Sequence, residues 1–154
     1  MKKILTIALL GFIAITAFSF NAKAEWNQPT YCPSDELRGT EAYYANFYDG
    51  NSGYFVSWSN EDKVKIGTRR GIFDYNSYHF VSVLVGFYEG DKLIKKETTS
   101  FYVPKGDSDT AYSNSDIGKR ITTHLKTTGK VRIIASTYSG LDFDLLIPMN
   151  KNLK

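Results

Sequence analysis

Residues 78–88 read Tyr78-His79-Phe80-Val81-Ser82-Val83-Leu84-Val85-Gly86-Phe87-Tyr88. In an extended chain Val81, Val83, Val85 and Phe87 fall on one side, and Tyr78, Phe80, Leu84 and Tyr88 on the other. A segment apolar on both sides and rich in β-branched residues predicts a central strand, covered on both faces. Glu89-Gly90-Asp91 then turns the chain into 92–103, where Lys95, Lys96, Glu97, Thr98, Thr99 and Ser100 make a mostly polar strand. Charge of that kind places it nearer an edge, where it discourages unwanted pairing. Pro104-Lys105-Gly106-Asp107 ends it.

Outward from this hairpin, strand signals continue in both directions. Upstream, 42–48 and 53–59 are rich in Tyr, Phe, Val and Trp, and Asp49-Gly50-Asn51-Ser52 between them is turn chemistry, so the pair reads as a hairpin. Residues 62–68 form a short strand with Val64 and Ile66 on one face. Downstream, 114–128 predicts the single helix: Ile117, Ile121 and Leu125 recur every four residues, Asn114 or Ser115 supplies the N-cap, Asp116 sits in the first turn, and Gly129 follows the end. Residues 130–137 and 142–149 alternate as a closing hairpin about Ser139-Gly140. The sum, about seven strands and one short helix, predicts a mainly β fold: an antiparallel β-sandwich or small barrel. Residues 39–150 read as one β-rich domain, preceded by an arm over 25–38 that contains Pro29 and Pro33 and followed by a polar tail at 151–154.

The first 24 residues have a different composition. Met1-Lys2-Lys3 precedes an uncharged apolar run from Ile4 to Phe20, and Ala22 and Ala24 stand at the spacing a signal peptidase accepts. The expectation is a bacterial secretory signal, cleaved after Ala24, which sends the protein to the periplasm or the medium with no membrane span left. The chain holds 19 Lys and Arg against 16 Asp and Glu, and Lys2, Lys3 and Lys23 account for the whole excess. The exported part is therefore neutral, with no general attraction to nucleic acid or anionic lipid. Cys32 is the only cysteine, so stability in an oxidising compartment comes from packing and not from an internal disulfide.

Chemical motifs are sparse. The chain has no nucleophile elbow, P-loop, dinucleotide fingerprint, zincin helix or paired-cysteine motif, and no cofactor is expected. His79 and His124 are the two imidazoles, and a small secreted hydrolase or toxin using either as general acid or base is the enzymatic alternative. Asp107, Asp109 and Asp116 crowd one loop with Asn114, a weak calcium candidate that lacks the EF-hand spacing. Asp142 and Asp144 flank Phe143 and point to one side of a strand.

The unusual feature is aromatic content: 11 Tyr, 10 Phe and 2 Trp. In the first hairpin Tyr43, Tyr44, Phe47 and Tyr48 occupy both faces of one strand, and Tyr54, Phe55 and Trp58 do the same in its partner. One face of that hairpin is then either exposed or covered by the arm that contains Trp26 and Tyr31. Exposed Tyr and Trp are common at protein interfaces and under sugar rings. The sequence thus reads as an exported, non-catalytic binding module that recognises a protein or glycan partner through Tyr43, Tyr44, Tyr48, Tyr54 and Trp58. A structural subunit of a surface assembly is a further alternative.

Overall fold

The computed structural model describes residues 24–32, 42–58, 62–68, 73, 79–106, 109–136 and 142–153, with the backbone alone for 28–32 and 42–44. Among the described residues nine strands and one helix follow in order: β1 (Glu25–Cys32), β2 (Ala42–Asp49), β3 (Tyr54–Trp58), β4 (Val64–Thr68), β5 (His79–Glu89), β6 (Lys92–Val103), β7 (Thr110–Tyr112), α1 (Ser115–Thr127), β8 (Lys130–Ala135) and β9 (Phe143–Ile147). All pairings are antiparallel, in one sheet of order β1-β2-β3-β4-β7-β6-β5-β8-β9. The fold is mainly β with one helix, as the pattern predicts, and the sheet is barrel-like but not closed by a ladder.

The interior is the set of alternate side chains on one face of every strand. Val81, Val83, Val85 and Phe87 of β5 are buried there, with Phe101 and Val103 of β6, Val131 and Ile133 of β8, and Phe143, Leu145 and Ile147 of β9. Ala45, Phe47, Val56, Trp58, Val64 and Ile66 continue it through β2, β3 and β4. The helix closes this face with Ile117, Ile121 and Leu125, and each such side chain contributes roughly 1.5–3 kcal/mol by leaving water. Asn114 is the N-cap, its Oδ1 accepting the Ile117 N–H at 3.0 Å.

The outer two edges of the sheet approach each other across the core through side chains. Trp26 Nε1–H donates to the Pro148 carbonyl at 3.2 Å, the Tyr54 hydroxyl donates to the Asp142 carbonyl at 3.2 Å, and the Tyr54 ring stacks on Phe143 at 4.8 Å. Trp26 also packs on Phe47 and Trp58, at 5.3 and 5.2 Å between ring centroids.

Two strands go beyond the sequence expectation. The arm over 25–38 holds β1, an edge strand whose register shifts between Asn27 and Thr30, around Pro29. Proline is tolerated at such a place because an edge residue has no second neighbour to receive its missing N–H. β7 is three residues long, too short for any periodicity to show.

The other face of β5, expected to be covered, is partly open. Phe80 is 71% exposed, although its ring meets Tyr102 at 5.8 Å. The strand is central because it pairs on both edges, with β6 and with β8, and one of its two faces looks outward.

Candidate functional site

Alternation decides which hairpin residues are available for binding. In β2 Ala45 and Phe47 point inward, so Asn46 and Tyr48 point out; in β3 Val56 and Trp58 point inward, so Phe55 and Ser57 point out. Register then aligns the outward residues into two rows that cross four strands. One runs Glu25, Tyr48, Phe55, Gly67; its neighbour runs Asn27, Asn46, Ser57, Lys65. The first is aromatic at Tyr48 and Phe55 with the Glu25 carboxylate at its end, and the second is polar throughout. They bound an open cleft of about 370 Å³ lined by Glu25, Asn27, Asn46, Tyr48 and Phe55.

Phe55 has its place because Gly67 opposes it. A Cβ at Gly67 would lie 2.3 Å from Phe55 Cζ and 2.8 Å from the Asp109 carbonyl oxygen, so only hydrogen lets the ring settle over β4. Lys65 Nζ stands 5.8 Å from the same ring, a cation–π contact. Asn46 Oδ1 is buried with no hydrogen-bond partner, a cost that a polar ligand group or water entering the cleft would remove.

The five residues read from the sequence are divided by this geometry. Tyr48 lines the cleft, half-buried. Tyr54 is turned toward β9, where its hydroxyl and ring hold Asp142 and Phe143. Trp58 is a correction: it is 4% exposed in the core, and its Nε1–H donates to Thr122 Oγ1 at 2.9 Å, so it cannot meet a partner. The side chains of Tyr43 and Tyr44 lie outside the described residues. Phe55, Asn46, Asn27 and Glu25 were missed. The signal for Phe55 was its parity with respect to Val56 and Trp58; the other three carry none beyond being polar.

The two histidines do not form one catalytic pair. His79 opens β5, whereas His124 on α1 reaches Tyr88, near the other end of the same strand, with Nε2 2.9 Å from its carbonyl oxygen. Nine residues of strand separate these points by about 30 Å. A carbonyl only accepts, so Nε2 of His124 carries a proton, and the ring is held edge-on against Phe87 at 5.2 Å.

The carboxylates are dispersed in a similar way. Asp107 lies outside the described residues; Asp116 is 85% exposed and ion-paired with Arg120 at 2.8 Å. Among the described residues no three His, Cys, Asp or Glu side chains group to hold a metal, so Asp109 and Asp116 are not joined into a calcium site. Asp142 and Asp144 both face outward, the latter paired with Arg132. That pairing raises the Arg132 pKa further above its ordinary range, first through its hydrogen bond with Asp144.

A second cleft, of about 350 Å³, opens between the first half of β6 and the polar side of α1, with Ile94, Lys95, Glu97, Lys119, Arg120 and Thr123 among its lining. Glu97 organises it. Its carboxylate meets Lys95 Nζ on one oxygen and Arg120 Nη2 at 2.9 Å on the other. The Lys95 contact, then Arg120, hold its pKa below the ordinary glutamate value against the opposing effect of burial.

A folded-state pKa below the unfolded one means stabilisation that is complete above the ordinary range and lost as the pH falls through it toward the folded value. The melting temperature of Glu97→Gln is therefore expected to lie below wild type at pH 7, with the gap narrowing as the pH is lowered through about 4.5. A gap constant from pH 7 to pH 3 would show that the ion pairs contribute nothing.

No family model, curated protein or solved structure matches the chain. No helix among the described residues is long and apolar enough to cross a membrane.

Proposed function

We propose that the protein is an exported, non-catalytic binding module that recognises a protein or glycan partner in the cell envelope or outside the cell through the outward face of β1, β2 and β3. The observation that carries this reading is the paired rows on that face: Tyr48 and Phe55 as an apolar platform, with Asn27, Asn46 and Glu25 beside them as hydrogen-bonding groups. Such a combination suits a ligand with one apolar face and a polar rim, which a sugar ring and a protein loop both present. Export is supported by Met1-Lys2-Lys3, the apolar run that follows and the Ala22 and Ala24 spacing.

The test is capture from envelope and extracellular extracts, together with a glycan array, by wild type and by a Tyr48→Ser/Phe55→Ser variant. Both residues are half-buried on the outer face, so the variant is expected to stay folded and to lose the ligand by about tenfold or more. Equal capture by a folded variant would remove the site from consideration.

A further inference from the structure

We infer that the edge of β6 that has no strand beside it among the described residues is a docking site for an extended acidic peptide segment of a partner protein, added as a further antiparallel or parallel strand beside α1. The inference goes beyond the hairpin-face reading and does not rest on it. Its starting point is an interruption in the sheet: β6 pairs with β5 over nearly its whole length, from Lys92 to Val103, but β7 pairs with it only at Tyr102, opposite Tyr112. Among the described residues the edge before Tyr102 has no strand beside it. The ten residues of this edge, Lys92 to Phe101, span about 33 Å, long enough for a peptide of eight or nine residues.

An open strand edge presents a row of N–H and C=O groups that only another extended backbone matches along its length. The neighbouring cleft supplies what a plain edge lacks, a place for side chains. The register shift opposite Phe87 and Tyr88 leaves Ile94 as the additional residue of β6, and this bulge brings Ile94 into the cleft beside Lys95 and Glu97. A strand laid along β6 would alternate its side chains between this cleft and the outer face.

Charge selects the class of peptide. The first five residues of β6 hold Lys92, Lys95 and Lys96 and no acid, and α1 turns Lys119 and Arg120 toward the same cleft. Facing them are Glu97, Asp62 and Asp116, each already engaged by one of these cations, and Glu89 stands opposite Lys92 in the β5–β6 ladder. Five cations against these four carboxylates leave Lys96 as the excess charge that an acidic strand neutralises. A second copy of β6 would instead bring three more lysines and a single glutamate to the edge, which disfavours self-pairing. The same lysines are also what protects an unused edge from aggregation, so the experiment must separate protection from recognition.

The probe is a fluorescein-labelled nine-residue peptide alternating glutamate and valine, titrated with the purified protein and followed by anisotropy. Saturable binding is expected, weakened by salt and absent for the matching lysine–valine peptide. Two N-methylated forms test strand addition itself: methylating one alternate set of residues should weaken binding by about tenfold or more, and methylating the other set should change little, because only alternate N–H groups face β6. Lys92→Gln/Lys96→Gln, which leaves the Lys95–Glu97 and Lys119–Asp62 ion pairs in place, should weaken binding with an unchanged melting temperature, whereas Tyr48→Ser/Phe55→Ser should bind the peptide normally. No saturable binding, or equal responses to the two methylation patterns, would overturn the proposal. So would a concentration-dependent dimer that protects the amides of residues 93–100 without peptide, since the edge would then be filled by a second copy.

Discussion

Trp58→Ala is expected to lower the unfolding free energy by about 3–5 kcal/mol, the range for losing a buried large aromatic ring. The indole is buried among Trp26, Phe47 and Val56, and its Nε1–H is satisfied by Thr122 Oγ1 at 2.9 Å. That hydroxyl donates in turn to the Gly118 carbonyl at 2.8 Å, so the indole is tied to the middle of α1. Removing the ring leaves a cavity and separates β3 from the helix at one stroke. Trp58→Phe keeps much of the packing and loses the hydrogen bond, with an expected loss of about 1–2 kcal/mol. Urea denaturation measures both, and unchanged m-values would confirm that stability alone is affected. A Trp58→Ala protein within 1 kcal/mol of wild type that no longer captured its partner would instead return the ring to the binding surface.

The second large effect reverses an ordinary rule. Gly→Ala inside an exposed helix normally stabilises it by about 1 kcal/mol. At Gly118 a Cβ would stand 1.8 Å from the Asp62 carbonyl oxygen and 2.8 Å from its carbon, with Ser113 Oγ at 2.9 Å. The obstacle is backbone and cannot rotate away. The helix must lift, which strains the Trp58–Thr122 hydrogen bond and the bond from the Val64 N–H to Ser113 Oγ. A loss of about 3 kcal/mol or more is expected, at the upper end of overpacking. Thr123→Ala, on the exposed side of the same helix, is the control and should stay within about 0.5 kcal/mol of wild type. Stabilisation by Gly118→Ala would show that the close approach of α1 to the β3–β4 connection is not a feature of the fold.

These two residues also mark the limits of reading structure from sequence here. The strands β5, β8 and β9 and the helix are legible because each carries a sustained period, two residues for the strands and nearly four for Ile117, Ile121 and Leu125, and β6 because the Gly90 turn and Pro104 bound it. β1 and β7 are not, one being irregular around Pro29 and the other too short. The hairpin was recognised, yet its aromatic side chains were selected by type. Residue type points to Trp58 as a binding residue, whereas parity places Trp58 with the buried Val56 and Phe55 on the opposite side. Gly118 gave no warning at all, since a glycine within a helical pattern looks like a weak point until the Asp62 carbonyl is seen against it.

By itself the sequence determined most of the local elements, the turn at Gly90, a cap at Asn114 or Ser115, the neutrality of residues 25–154 and the export signal expected at the N-terminus. These are properties of neighbours along the chain, set by side-chain alternation, capping and charge. Only the tertiary structure decided which face of each strand is inside, how Glu25, Tyr48 and Phe55 join into one row, and where among the described residues β6 loses its neighbouring strand. Those outcomes depend on strand order and relative strand length, through contacts between residues far apart in sequence. Alternation states that two side chains share a face, but only the element packed against that face makes it the core.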